Sequence, residues 1–194
     1  VYECGSSDAE NAAKDVDTSA AGANVYLVDG SMNTVNGSYV ARIYKSVELS
    51  EDGKTVVDSK KLHKYDAAFY SKQSMNIDGN GSLAIHAENE GLDSELHLTM
   101  NGGNVNIVSG NDGINTNEDG ISVTTINGGT LNIHVTGETG EGDGIDSNGW
   151  LVINGGNFTG NHGVISSISG AEAILNGGTF HCTATYTGNS DWTL

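Results

Sequence analysis

Apolar and polar residues alternate in short runs along residues 75–182, and the runs break at glycine. Met75/Ile77, Leu98/Met100, Thr124/Ile126, Leu151/Ile153 and Ala173/Leu175 precede a glycine corner. Leu83/Ile85, Val105/Ile107, Leu131/Ile133, Phe158/Gly160 and Phe180/Cys182 follow one. A period of two marks strands with one buried face, and no helical periodicity accompanies it. The corner is itself a repeat: Asn101-Gly102-Gly103, Asn127-Gly128-Gly129, Asn154-Gly155-Gly156 and Asn176-Gly177-Gly178, after a degenerate Asp78-Gly79-Asn80-Gly81. Its final glycines are spaced by 22, 26, 27 and 22 residues. Between the corners lies a second unit: Glu90-Gly91-Leu92-Asp93-Ser94, Asp112-Gly113-Ile114-Asn115-Thr116, Asp143-Gly144-Ile145-Asp146-Ser147 and His162-Gly163-Val164-Ile165-Ser166. Its apolar member supplies a third inward side chain.

Three short strands in each such period predict an all-β fold, a right-handed, single-stranded parallel β-helix. A leucine-rich repeat would need helical return segments, and a propeller blade about 40 residues. A two-sheet sandwich would not require matching motifs in every coil. Equivalent positions should stack at about 4.8 Å, the interstrand spacing. That places Ile77, Met100, Ile126, Ile153 and Leu175 in one internal ladder, and Asn101, Asn127, Asn154 and Asn176 in another at the corner. Asparagine tolerates turn conformations and its amide bonds to the next copy. Glycine admits positive φ. The corners therefore read as structural. Residues 1–22 read as a polar tether, 23–66 as irregular rungs or a cap, 67–186 as regular rungs, and 187–194 as a C-terminal cap with Trp192 over the last coil. Solenoid ends need such caps because open strand edges pair with other chains.

Composition sharpens this picture. There are 28 glycines and no proline. The 25 Asp and Glu outnumber the 8 Lys and Arg, for a net charge of −17. That excludes nucleic acid and an anionic membrane surface as direct partners, since both need a basic face. No apolar run reaches the roughly 18 residues of a membrane-spanning helix. The charge is also segregated: every Lys and Arg lies within residues 1–72, while 73–194 holds 14 Asp and Glu and no cationic partner besides histidine. The two cysteines, Cys4 and Cys182, can pair or remain thiols.

Stacking brings the acids together. Glu90, Asp112 and Asp143 fall in one column ending in His162, and Asp93, Asn115 and Asp146 in a second. Carboxylates about 5 Å apart repel by roughly 3 kcal/mol at an effective dielectric of 20. A hard divalent cation would relieve this, and Ca²⁺ takes six to eight ligands of this oxygen type. The candidate ligands are Glu90, Asp93, Asn111, Asp112, Asn115, Glu141, Asp143 and Asp146, with Glu118 and Asp119 nearby. The alternative is that Asp and Asn only form side-chain turns beside glycine.

Catalytic signals are weak. Polysaccharide lyases on this fold need a strong base, and Arg42, the only arginine, lies in the irregular part. The carboxylates occupy repeat positions rather than forming the unique pair of a glycosidase. Sugar binding has better candidates. Trp150 faces outward by alternation and shares a column with His97, Val123 and Glu172, which makes a stacking platform for a sugar ring. Tyr70 is a further candidate, with Tyr44 and Tyr65 weaker. An exposed aromatic that packs on a neighbouring loop or chain is the competing reading.

The order of Leu27-Val28-Asp29-Gly30-Ser31-Met32-Asn33-Thr34, then Ala67-Ala68-Phe69-Tyr70-Ser71-Lys72, then the Asp-Gly-Ile-(Asn/Asp)-(Thr/Ser) and Asn-Gly-Gly-(Thr/Asn) units resembles the secreted carbohydrate-binding-domain family of cellulolytic clostridia, over residues 24–181. The resemblance implies a pectate-lyase-like β-helix with Ca²⁺ in its turns, binding acidic plant polysaccharide and cellulose-like material without catalysis. By motif match its Ca²⁺ ligands fall on Asp112, Asn115, Asp143 and Asp146. The last unit departs from the pattern at His162 and Ile165. The family's first rungs would precede the start of this chain.

The expectation is thus an extracellular or cell-surface bacterial protein that binds a polysaccharide such as polygalacturonate or a cellulose-like chain, with Ca²⁺ bridging the acidic surface to an anionic partner. The alternative is a structural protein that self-associates end to end, with a lyase as a third class.

Overall fold

A computed structural model describes residues 22–37, 44–61, 67–118, 120–138, 142–160, 164–166 and 173–182. The expected tether over 1–21, the cap over 187–194, Arg42, Tyr65, Asp119, Glu141, His162 and Glu172 lie outside the described residues.

All described secondary structure is β, and the chain coils as a parallel solenoid of three sheets. The first sheet stacks Ala23–Leu27, Met75–Gly79, His97–Met100, Val123–Ile126, Trp150–Ile153 and Ala173–Leu175 in that order. The second stacks Met32–Gly37, Ser82–Ala87, Asn104–Ser109, Thr130–Val135, Asn157–Gly160 and Thr179–Cys182. The third stacks Ala67–Ser71, Glu90–Ser94, Ile114–Thr116, Ile145–Ser147 and Val164–Ser166. Every pairing within these sheets is parallel, which excludes the sandwich.

The register matches the spacing of the repeats. Val25, Ile77, Met100, Ile126 and Ile153 form one continuous inward ladder, and Leu175 pairs with Ile153 in the same register. Leu92, Ile114 and Ile145 form another, with Val164 paired to Ile145. A single core results, in which Ile77, Leu92, Leu98, Ile145 and Leu151 are fully buried. At the corner, amide bonds of 2.7–2.8 Å link Asn101, Asn127, Asn154 and Asn176 in series.

The two glycine motifs answer different demands. The second glycine of each Asn-Gly-Gly has positive φ, as at Gly129 (φ 90°), where L side chains are strained. Gly113 in the second motif is needed for close approach: an added Cβ would lie 2.4 Å from Ile133 Cγ2 and 2.6 Å from the Gly144 carbonyl oxygen.

Residues 23–37 sit in register with 75–87 and so form the first two strands of a regular coil. Between its second and third strands the coil gives rise to an antiparallel hairpin, Tyr44–Leu49 with Val56–Lys61. The Ser50 hydroxyl donates to Asp52 at the hairpin turn and holds that carboxyl below its usual value.

Candidate functional site

The outer face of the third sheet carries the acidic columns. Its strands are three to five residues long, and at Gly91 and Gly113 neighbouring coils come into close contact. The pairing of Leu92 with Ile114, and of Ile114 with Ile145, sets Tyr70, Asp93, Asn115 and Asp146 in one outward column, and Ile165 pairs with Asp146. The same register aligns Glu90, Asp112 and Asp143 three residues earlier on each coil.

These acids are not on a solvated face. Asp93 is 0% exposed, Glu95 2%, Glu90 4%, and Asp112 and Glu118 6% each. Amides run between them. Asn111 Nδ2 donates to both Glu90 Oε1 and Asp112 Oδ2 at 3.3 Å. Asn115 Nδ2 also donates to Glu90 Oε1, at 3.3 Å, while its own Oδ1 accepts from Asn148. Asn117 Nδ2 donates to Asp93 Oδ1 at 2.9 Å. The Asp143 amide N–H donates to Asp112 Oδ1 at 2.8 Å, and the Gly142 N–H to Asn111 Oδ1. Part of the repulsion expected between stacked carboxylates is therefore offset by N–H donors built into the repeat. Lys72, the last cation in the chain, follows Ser71, whose pairing with Ser94 sets it beside Glu95 in the register. The Tyr70 hydroxyl donates to Glu95 Oε1.

The donor set is the hard oxygen set that Ca²⁺ prefers. Asp112, Asn115, Asp143 and Asp146 lie on neighbouring coils, as their repeat positions require. Among the described residues, however, no three or more His, Cys, Asp or Glu side chains converge as a metal cluster. The carboxylates are interleaved with amides instead, so the oxygens of Asn111 and Asn115 would have to complete any ion's shell.

Just inside this wall runs a buried hydroxyl ladder that periodicity did not reveal. Thr116 Oγ1 lies 3.1 Å from Thr124 Oγ1 and 3.3 Å from Ser147 Oγ, and Ser147 donates to the Trp150 carbonyl at 2.8 Å. The signal was the small hydroxyl residue closing each copy of the second motif.

The sugar-binding candidates fall on two walls. His97 and Trp150 both pair with Val123 and so share one outward column on the first sheet, two coils apart. Trp150 is 36% exposed. Tyr70 belongs to the third sheet, half-buried over the acidic column. His97 Nδ1 accepts from the Val123 N–H at 3.1 Å, which leaves the proton on Nε2 of the neutral ring. Burial holds this imidazole below its ordinary pKa.

The second sheet's outer face is different again. Asn106, Asn132 and Thr159 pair in one outward column, and Val108 and His134 in the next. Asn132 Nδ2 donates to Asn106 Oδ1 at 2.8 Å. These residues border a shallow groove of about 440 Å³. The sequence held a faint signal for it: Asn106 and Asn132 occupy the same place in successive repeats, flanked by inward apolar residues.

A family model described as "Carbohydrate-binding domain-containing protein" matches residues 7–192. No curated protein and no solved structure gives a significant match.

Proposed function

The chain belongs to the carbohydrate-binding domain-containing protein family, and from that premise we propose that it binds plant cell-wall polysaccharide outside a bacterial cell, without catalysis, through a Ca²⁺-stabilised β-helix. The observation that carries sugar binding is the outward column of His97 and Trp150 on a parallel sheet. A Trp face offers apolar area to the C–H face of a sugar ring, and the imidazole N–H two coils away can donate to a hydroxyl farther along the sugar chain.

Calcium is the cofactor of this reading. Asp112, Asn115, Asp143 and Asp146 would hold it, supported by Glu90, Asp93, Asn111 and Glu141, and it would supply positive charge between coils that carry no Lys or Arg. A bound ion would also bridge carboxylates of an anionic polysaccharide to this acidic chain.

Two measurements test the reading. Retention on polygalacturonate and on cellulose, with Ca²⁺ or with excess chelator, should show binding that Ca²⁺ strengthens; no retention on any polysaccharide refutes it. Chelation should lower the melting temperature by several degrees, and an unchanged melt at low salt assigns charge relief to the amide bridges alone. Ultraviolet absorbance should show no unsaturated product from polygalacturonate.

Self-association is the second reading. Tyr26, Val28 and Met32 in the first coil are 70%, 61% and 90% exposed, an apolar surface beside strands that end their sheets among the described residues. Light scattering that is independent of concentration would refute it.

A further inference from the structure

We propose that the groove on the outer face of the second sheet seats a linear polysaccharide chain lying parallel to the solenoid axis, with about one sugar residue over each coil. The inference rests on the family's carbohydrate binding and seats it on this face in place of the His97 and Trp150 column of the first sheet.

The groove exists because of the register. On one side stand Asn106, Asn132 and Thr159, stacked on successive strands, and on the other Val108 and His134. The floor between them is the backbone of positions whose side chains turn inward, Ile107 and Ile133, continued by Gly160. The groove therefore crosses strands rather than following one, and runs over three coils. Strands are spaced by about 4.8 Å, so three coils span about 10 Å. A pyranose unit advances its chain by about one such strand spacing of about 4.8 Å, so polymer and protein stay in step.

The lining suits a sugar. Val108, 38% exposed, and the backbone floor offer an apolar bed for C–H faces. The wall offers amides, which donate and accept, and an imidazole. The amides are held in advance: Asn132 donates to Asn106, and Asn106 Nδ2 donates to Asn104 Oδ1 at 3.3 Å. Side chains already ordered lose less entropy on binding. No Asp or Glu is among the residues lining the groove. On a chain of net charge −17, this wall is where a polysaccharide meets hydrogen-bonding groups without facing carboxylates.

The test is calorimetric titration of the full chain with cello-oligosaccharides and oligogalacturonides of two to six residues. Wild type should bind, with affinity rising up to about three residues and then levelling, as three coils at a spacing of about 4.8 Å require. Val108→Arg, which fills the groove, and His134→Ala should each weaken binding about tenfold or more with the melting temperature retained. Val57→Arg, the same charge placed on the exposed hairpin, should bind as wild type. If Val108→Arg does not fold, Thr159→Arg takes its place. Wild-type affinity in a folded groove-filling variant overturns the proposal, and loss of binding in Trp150→Ala but not Val108→Arg moves the site to the first sheet while the carbohydrate reading stands. A wild-type chain that binds no oligosaccharide overturns both.

Discussion

The outer faces of the second and third sheets belong to the same coils, share one hydrogen-bonded register, and behave as opposites. On the third sheet the outward positions carry acids and an amide that are buried or half-buried: Asp93 has no exposure, and Asn117, just beyond the next strand, donates to it. On the second sheet the outward positions are amides, Val, Thr and His, and Val108 and His134 stand in solvent. The parallel ladder accepts either set, because its backbone bonds do not depend on what projects outward. What differs is the environment. Buried charge must be matched by donors, and the third sheet meets this with Asn111, Asn115 and Asn117. An exposed wall faces no such demand and is free to recognise something else.

Substitutions can break this contrast, and they rank by how much each disturbs. Gly113→Ala forces a methyl into Ile133 and the Gly144 carbonyl, beneath the acidic wall. It should cost about 2–3 kcal/mol, read by urea unfolding. Gly137→Ala, at φ 71° with open space around it, should cost only about 1 kcal/mol from backbone strain. Asn117→Ala removes the donor to buried Asp93 and should cost about 1.5–3 kcal/mol, the range for a hydrogen bond to a charged group. Its exposed counterpart Asn127→Ala, in the corner ladder, should cost about 0.5–1.5 kcal/mol. A near-equal loss for these two asparagines would contradict the contrast between the walls.

The smallest effect is pH-dependent and belongs to the first sheet. Burial holds His97 below its ordinary value of 6.5, so the unfolded chain takes up the proton first. His97 therefore contributes stability above about pH 6.5 that is lost as pH falls toward its folded pKa. Protonation of Nδ1 also ends its bond from the Val123 N–H. His97→Gln should flatten the melting-temperature profile between pH 6.5 and 5; a profile identical to wild type contradicts the assignment.

Legibility in the sequence followed the strength of the repeat. The apolar ladder from Ile77 to Leu175 and the asparagine ladder from Asn101 to Asn176 could be read because spacing alone places equivalent residues one strand apart. The first coil was harder. Val25 and Val35 stand in the same columns, but Gly30 occupies a turn without Asn-Gly-Gly, and the inserted hairpin separates the coil's second strand from Ala67–Ser71. The acidic columns were legible as columns. Their burial and the amide bridges between them were not, since both depend on how residues beside the short strands, such as Asn111 and Asn117, reach across to the neighbouring coil.

Sequence alone determined the coil, its strand register and which residues share a column, because a fixed period in a parallel stack leaves one alignment that keeps every apolar residue inside. Only the tertiary structure decided which outward columns are covered and which are open. Alternation separates inside from outside, but the depth of an outward side chain depends on what packs over it. That is why Asp93 and Val108, both outward by pattern, end in such different surroundings.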